Sequence, residues 1–99
     1  MSTRTALIVI GRYKEEWTSL TATQQKNFIE RVGKTAAASG LEPVTGYRLT
    51  ATPGTFIEVW ESSSQVSVER AVKDLTAMGY TRLVDARWMI GERGDGDAE

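Results

Sequence analysis

Residues 55–60 read TFIEVW. Val, Ile, Thr and aromatic residues in this density mark a strand, and a strand sends alternate side chains to opposite faces. Phe56, Glu58 and Trp60 therefore share one face, while Ile57 and Val59 share the other. A carboxylate set between two large rings asks what covers that face, and the flanking sequence supplies the architecture. The stretch TPG at 52–54 is a turn signal that joins EPVTGYRLTA, 42–51, to TFIEVWES, 55–62, as an antiparallel hairpin. Closing it on Thr52 and Thr55, or on Ala51 and Phe56, pairs Tyr47 with Trp60, Leu49 with Glu58 and Ala51 with Phe56. Tyr47 and Leu49 then join Phe56, Glu58 and Trp60, and Arg48 and Thr50 join Ile57 and Val59. A loop of odd length would shift this pairing.

Farther out, TALIVIGR at 5–12 reads as a buried central strand. It is followed by a charged loop, YKEEWTSL, and then by a helix opened by Thr21 and Gln24 at capping-box spacing and closed near Gly40. Phe28, Ile29, Val32 and Ala36 form that helix's apolar stripe. Beyond the hairpin, serines cap a second helix with the stripe Val68, Ala71, Val72, Leu75 and Met78, stopped at Gly79. A last strand, TRLVDARWMIGE, completes a βαββαβ order. That order is the ferredoxin-like α+β arrangement, in which right-handed crossovers place both helices on one face of a four-stranded antiparallel sheet. Ile57 and Val59, aliphatic and branched, are expected under the helices. Phe56, Glu58 and Trp60 are then expected on the bare face, where an apolar patch of that size calls for a cover. The domain is expected to span 1–91, with 92–99 an acidic, Gly-rich flexible tail.

Composition excludes several chemistries. Without cysteine there is no disulfide, thiolate metal site or cysteine nucleophile, and without histidine there is no imidazole base, triad or imidazole axial ligand to haem. No metal and no cofactor are expected. The longest apolar run, ALIVI at 6–10, falls far short of the ~20 residues of a membrane helix, and the protein reads as cytoplasmic with no membrane partner. RNA-recognition domains share the βαββαβ order, but here Val9 stands where a stacking aromatic is needed. Glu58 would repel phosphate, and a net charge of -1 offers no basic groove, so no nucleic-acid partner is expected. Arg93-Gly94-Asp95 spells an adhesion tripeptide by chance.

A βαββαβ chain of about ninety residues with an apolar helix-free face resembles the dimeric α+β barrel superfamily. The stretch EEWTSLTATQQKNFIERV, a Trp just before a capped helix, is similar to its darcynin-like members. The resemblance, which extends to antibiotic-biosynthesis-monooxygenase-like members, implies a homodimer whose sheets pack face to face, each subunit keeping a cavity. It also implies small-molecule work, such as cofactor-free oxygenation of aromatic polyketides, lactone isomerisation or cyclisation. A single chain of 99 residues buries only roughly 60–65% of its unfolded surface, which also favours dimerisation.

The candidate site follows. Phe56, Trp60 and Tyr47 are expected to wall a cavity for a hydrophobic small molecule, with Glu58 as its base, because desolvation among rings raises a carboxyl pKa toward neutrality. The alternative for Glu58 is an ion pair with an arginine that fixes the dimer. Arg87, which shares a face with Asp85, is a candidate to hold an oxyanion, or else half of an exposed ion pair on an edge strand. Trp17 is either a lid over the pocket mouth or a staple beside Leu20. Tyr13 and Tyr47 carry phenolic protons, although packing accounts for both. The substrate can equally be bound without turnover.

Overall fold

The computed structural model describes residues 4–93. Four strands, β1 (Thr5–Tyr13), β2 (Glu42–Arg48), β3 (Thr55–Ser62) and β4 (Val84–Glu92), form one antiparallel sheet in the order β2-β3-β1-β4. Two long helices, α2 (Ala22–Ala38) and α3 (Gln65–Ala77), supply the crossovers, and two single-turn helices, α1 (Glu15–Thr18) and α4 (Tyr80–Leu83), precede α2 and β4. This is the expected ferredoxin-like α+β fold.

Local chemistry sets the helix ends. Thr21 Oγ1 accepts from the Gln24 backbone N–H at 3.1 Å, and Gln24 Oε1 accepts from the Thr21 N–H at 2.9 Å, so two otherwise unpaired donors are satisfied at once. Ser64 Oγ accepts from Ser67 N–H at the start of α3. Phe28, Val32 and Ala36 of α2 and Val68, Ala71 and Leu75 of α3 are buried against Leu7, Val9, Phe56 and Val84 of the sheet. Val72 and Met78 pack on the same core. Ile29, expected in the α2 stripe, is 53% exposed.

The two sheet faces are the reverse of the expected ones. Leu7, Val9 and Gly11 lie opposite Trp60, Glu58 and Phe56, and Leu7 and Val9 are buried under the helices, so Phe56, Glu58 and Trp60 are on the helix-covered face. Ile57 and Val59 stand opposite Ile10 and Ile8 on the helix-free face. Gly11 explains the choice: a Cβ there would come within 2.5 Å of Phe56 Cζ. Gly11 is also opposite Ala86 on β4, so the small residues leave a hollow that a phenyl ring fills and an isoleucine would not.

The hairpin also differs. Thr55 N–H donates to Thr52 O, Gly54 has φ +85°, and Leu49 N–H donates to Thr55 O. Pro53-Gly54 thus occupy the turn positions suited to fixed negative and positive φ. Tyr47 lies opposite Ile57 and Arg48 opposite Phe56, a slip of three residues from the expected register. An odd slip exchanges faces: Tyr47 joins Ile57 on the helix-free side, and Arg48 joins Phe56 under the helices. A further irregularity falls between Pro43 and Thr45.

At one end of the sheet Glu61, 8% exposed, receives Arg4 Nε at 3.4 Å and Arg93 Nε at 3.0 Å, and Arg4 also pairs with Glu42. The Arg93 N–H donates to Arg4 O at 2.9 Å. β4 runs to Glu92, one residue past the expected boundary at 91, and Arg93 is bonded to Arg4, just ahead of β1. The rest of the expected tail, with Gly94 and Asp95 of the tripeptide, lies outside the described residues. Among the described residues no helix is long and apolar enough to cross a membrane, and no three carboxylates gather as a metal site.

Candidate functional site

Every residue of β2 is exposed, so the outer strand is left open. The gap between the first half of α2 and the β2–β3 hairpin is a cleft of about 1000 Å³. Its floor is Phe56 and Glu58, its inner wall is Tyr13 and Trp17, and its outer sides are α2, through Gln25, Lys26, Ile29 and Glu30, and β2, through Gly46 and Arg48. The Ile29 exposure has its reason here, since the side chain faces the cleft instead of the core.

Rings make up the inner wall. Tyr13 stacks on Trp17 with centroids 4.3 Å apart and planes 15° from parallel, and it tilts against Phe56 at 5.0 Å. Trp17 meets the edge of Phe28 at 5.8 Å, Phe28 stacks with Tyr80 at 6.0 Å, and Tyr80 tilts against Trp88 at 5.4 Å. Trp17 is thus held on both sides, and the Gln25 amide donates to its carbonyl oxygen at 2.9 Å. It lines the wall beside Tyr13. Leu20 is only half-buried.

Glu58 lies opposite Val9 on one side and Gly46 on the other. Because Gly46 has no side chain, β2 adds no side chain over the carboxylate, and a Cβ there would sit 3.9 Å from Glu58 Cγ. Burial pushes the Glu58 carboxyl above its ordinary range, and the Trp60 indole N–H, which favours the charged form, offsets part of the rise. Tyr13's phenol is also pushed up, first by burial and then by the Glu58 charge, with Arg48 acting in the opposite sense. Tyr80's phenol is pushed up for similar reasons, burial first and then the Glu58 charge. Both phenols therefore keep their protons throughout the physiological range and remain donors.

The expected residues are divided by this geometry. Glu58, Phe56 and Trp17 come together in the cleft. Trp60 touches Glu58 from its other side and borders a shallower hollow of about 340 Å³ with Pro43 and Val44. Tyr47 borders the cleft from β2, but it is 63% exposed and its register position is with Ile57 on the other face. Arg87 lies opposite Ile10 on the helix-free face, so a sheet separates it from the Glu58 cleft, and the expectation that it assists Glu58 is corrected. Among the described residues neither Glu58 nor Arg87 makes an ion pair. Tyr13 and Arg48 take the positions expected of Tyr47 and Arg87. Tyr13 was legible as a phenol next to the first strand's end, whereas Arg48 was hidden by the hairpin slip.

No protein-family model matches the chain, and no curated protein matches it. Solved structures do. Two mutant forms of chlorite dismutase from Candidatus Nitrospira defluvii superpose with TM-scores of 0.77 and 0.75, at 16% and 15% identity over 99% of this chain. The chain spans only 44% of those chains. A protein of unknown function from Bacteroides thetaiotaomicron, described as a possible oxidoreductase, matches at a TM-score of 0.58 and 15% identity, over 94% of this chain and 100% of its own. At such identities the likeness shows the fold, which is ferredoxin-like α+β.

Proposed function

We propose that the protein acts on a hydrophobic aromatic or polyketide-like small molecule held in the α2–hairpin cleft, with Glu58 as general base and no cofactor. The observation that carries this reading is a desolvated carboxylate on the floor of a cleft of about 1000 Å³ whose inner wall is stacked rings. A carboxyl raised toward neutrality both accepts and returns a proton efficiently. The step is a proton transfer: a C–H bond next to a substrate carbonyl breaks, the proton passes to a Glu58 carboxylate oxygen, and the electron pair delocalises onto the carbonyl oxygen. Tyr13, held protonated, donates to that oxyanion in a region of low polarity. Reprotonation at another carbon completes an isomerisation, attack on a second carbonyl completes a cyclisation, and combination of the carbanion with dioxygen gives oxygenation.

The test is deuterium uptake from D2O by 2-tetralone, an aromatic ketone with an acidic C–H, followed by proton NMR. The protein is expected to accelerate uptake, and Glu58→Gln to slow it by about 10²–10⁴-fold. Uptake at the same rate with and without protein would reject the base assignment. The wide mouth left by the exposed β2 supports a second reading, a binding protein without turnover, because chemistry of this kind gains from excluding water. That reading predicts a bound probe recovered without deuterium.

The helix-free face belongs to the same proposal. Ile8, Ile10, Ile57 and Val59 form a half-exposed aliphatic strip with Met89, and we assign it to a second copy of the chain, sheet against sheet.

A further inference from the structure

We propose that the cleft selects ligands that carry a carboxylate beside a planar aromatic system, and that Arg48 is the residue that reads the carboxylate. The inference rests on the cleft being a small-molecule site, as argued above. It adds a charge to the ligand and names what recognises it.

Arg48 stands opposite Phe56 on the helix-covered face, one wall away from Glu58. It is exposed, and among the described residues it pairs with no carboxylate. Nor is it Glu58's counter-ion: its charge is felt by the Tyr13 phenol, whereas Glu58 responds to burial and Trp60. Lys26 faces the same space from α2 and is also without a carboxylate partner among the described residues. The charges around the cleft are thus two cations, Arg48 and Lys26, against Glu30 of α2 and Glu58 of β3. With Glu58 ionised, as a base must be, the four charges cancel, so the preference for a carboxylate rests on the placement of Arg48.

Shape agrees with charge. Tyr13 and Trp17, stacked face to face, line the inner wall as an apolar ring stack, against which a conjugated ring packs edge to face. A guanidinium is a planar fork whose paired N–H groups match the two oxygens of a carboxylate. A ligand ring on the wall with its carboxylate toward β2 would place its far edge over Glu58, which Gly46 leaves open.

The experiment is isothermal titration of the whole chain with 2-naphthoate and with 2-naphthamide, two ligands of the same ring and size that differ in charge. Wild-type protein is expected to bind naphthoate about tenfold tighter, the order of a charge-assisted bidentate contact in a partly open site. Arg48→Gln is expected to abolish that preference and to leave the naphthamide Kd within about twofold, while Arg48→Lys keeps part of the preference. Lys26→Gln is expected to have the smaller effect. Arg48 is exposed, so the variants should fold, and far-UV circular dichroism checks that they do. Equal affinity for the two ligands in wild type, or a preference that survives Arg48→Gln, would overturn the inference while leaving the cleft a small-molecule site. Failure of both ligands to bind would overturn the inference together with the reading beneath it.

Discussion

In the folded chain the Glu58 carboxylate loses water that it holds when unfolded, so folding favours its protonated form. The native state then binds this proton more tightly than the unfolded state does, and stability falls as pH rises from the ordinary carboxylate pKa through the raised one. Glu58→Gln, which is neutral at every pH, should therefore melt above wild type at pH 8. That advantage should shrink as pH falls from the raised pKa to the ordinary carboxylate value, and be gone below about 4. Thermal scans across this range check it, and an advantage independent of pH would show that desolvation of the charge is not its cause. Gly11 makes a second prediction, because a methyl group there has Phe56 Cζ at 2.5 Å and Val84 Cγ1 at 3.0 Å. Gly11→Ala should cost about 1–3 kcal/mol in urea unfolding. Adding Phe56→Leu should recover part of that loss, since the two changes share one contact.

Among the elements, the helices were the most legible from sequence, because their signals are local. Thr21 and Gln24 form the capping box their spacing indicates, and Thr21→Ala should cost about 1 kcal/mol in the same unfolding measurement. The sheet was legible in its order but not in its faces. Residues 7–10, Leu-Ile-Val-Ile, are apolar on both sides of the strand, so alternation carries no sign of which side meets the helices. The sign was present instead in Gly11 and Ala86, which leave room for a ring, but that pairing is long-range. The hairpin register failed for a related reason: the turn at Pro53-Gly54 closes with Leu49 against Thr55, and three residues of slip take Tyr47 off the face of Phe56 and Glu58 and bring Arg48 onto it. The desolvated Glu58 was nevertheless legible, since rings flank it in the chain whichever face the strand turns inward. Only the source of its cover changed, from a partner's sheet to the chain's own helices and aromatic wall.

On the scale of the molecule, the two faces of the sheet have separate tasks: one holds the core and the cleft, and the other presents the aliphatic strip. Met89 is 44% exposed and stands opposite Ile8, so Met89→Glu should leave the isolated chain folded but oppose burial of this face. Light scattering on a sizing column is expected to give a dimer for wild type and a monomer for the variant, and a wild-type monomer at tens of micromolar would end the assignment of that face to a second copy. The Arg4–Glu61–Arg93 junction has a topological consequence. It holds positions 4 and 93 side by side, just beyond the ends of neighbouring strands and joined by a backbone hydrogen bond of 2.9 Å. The described fold is therefore close to a closed ring. A short linker across that junction, with a new opening cut at the exposed turn 50–54, would give a circular permutant that keeps every strand neighbour, the core and the cleft floor.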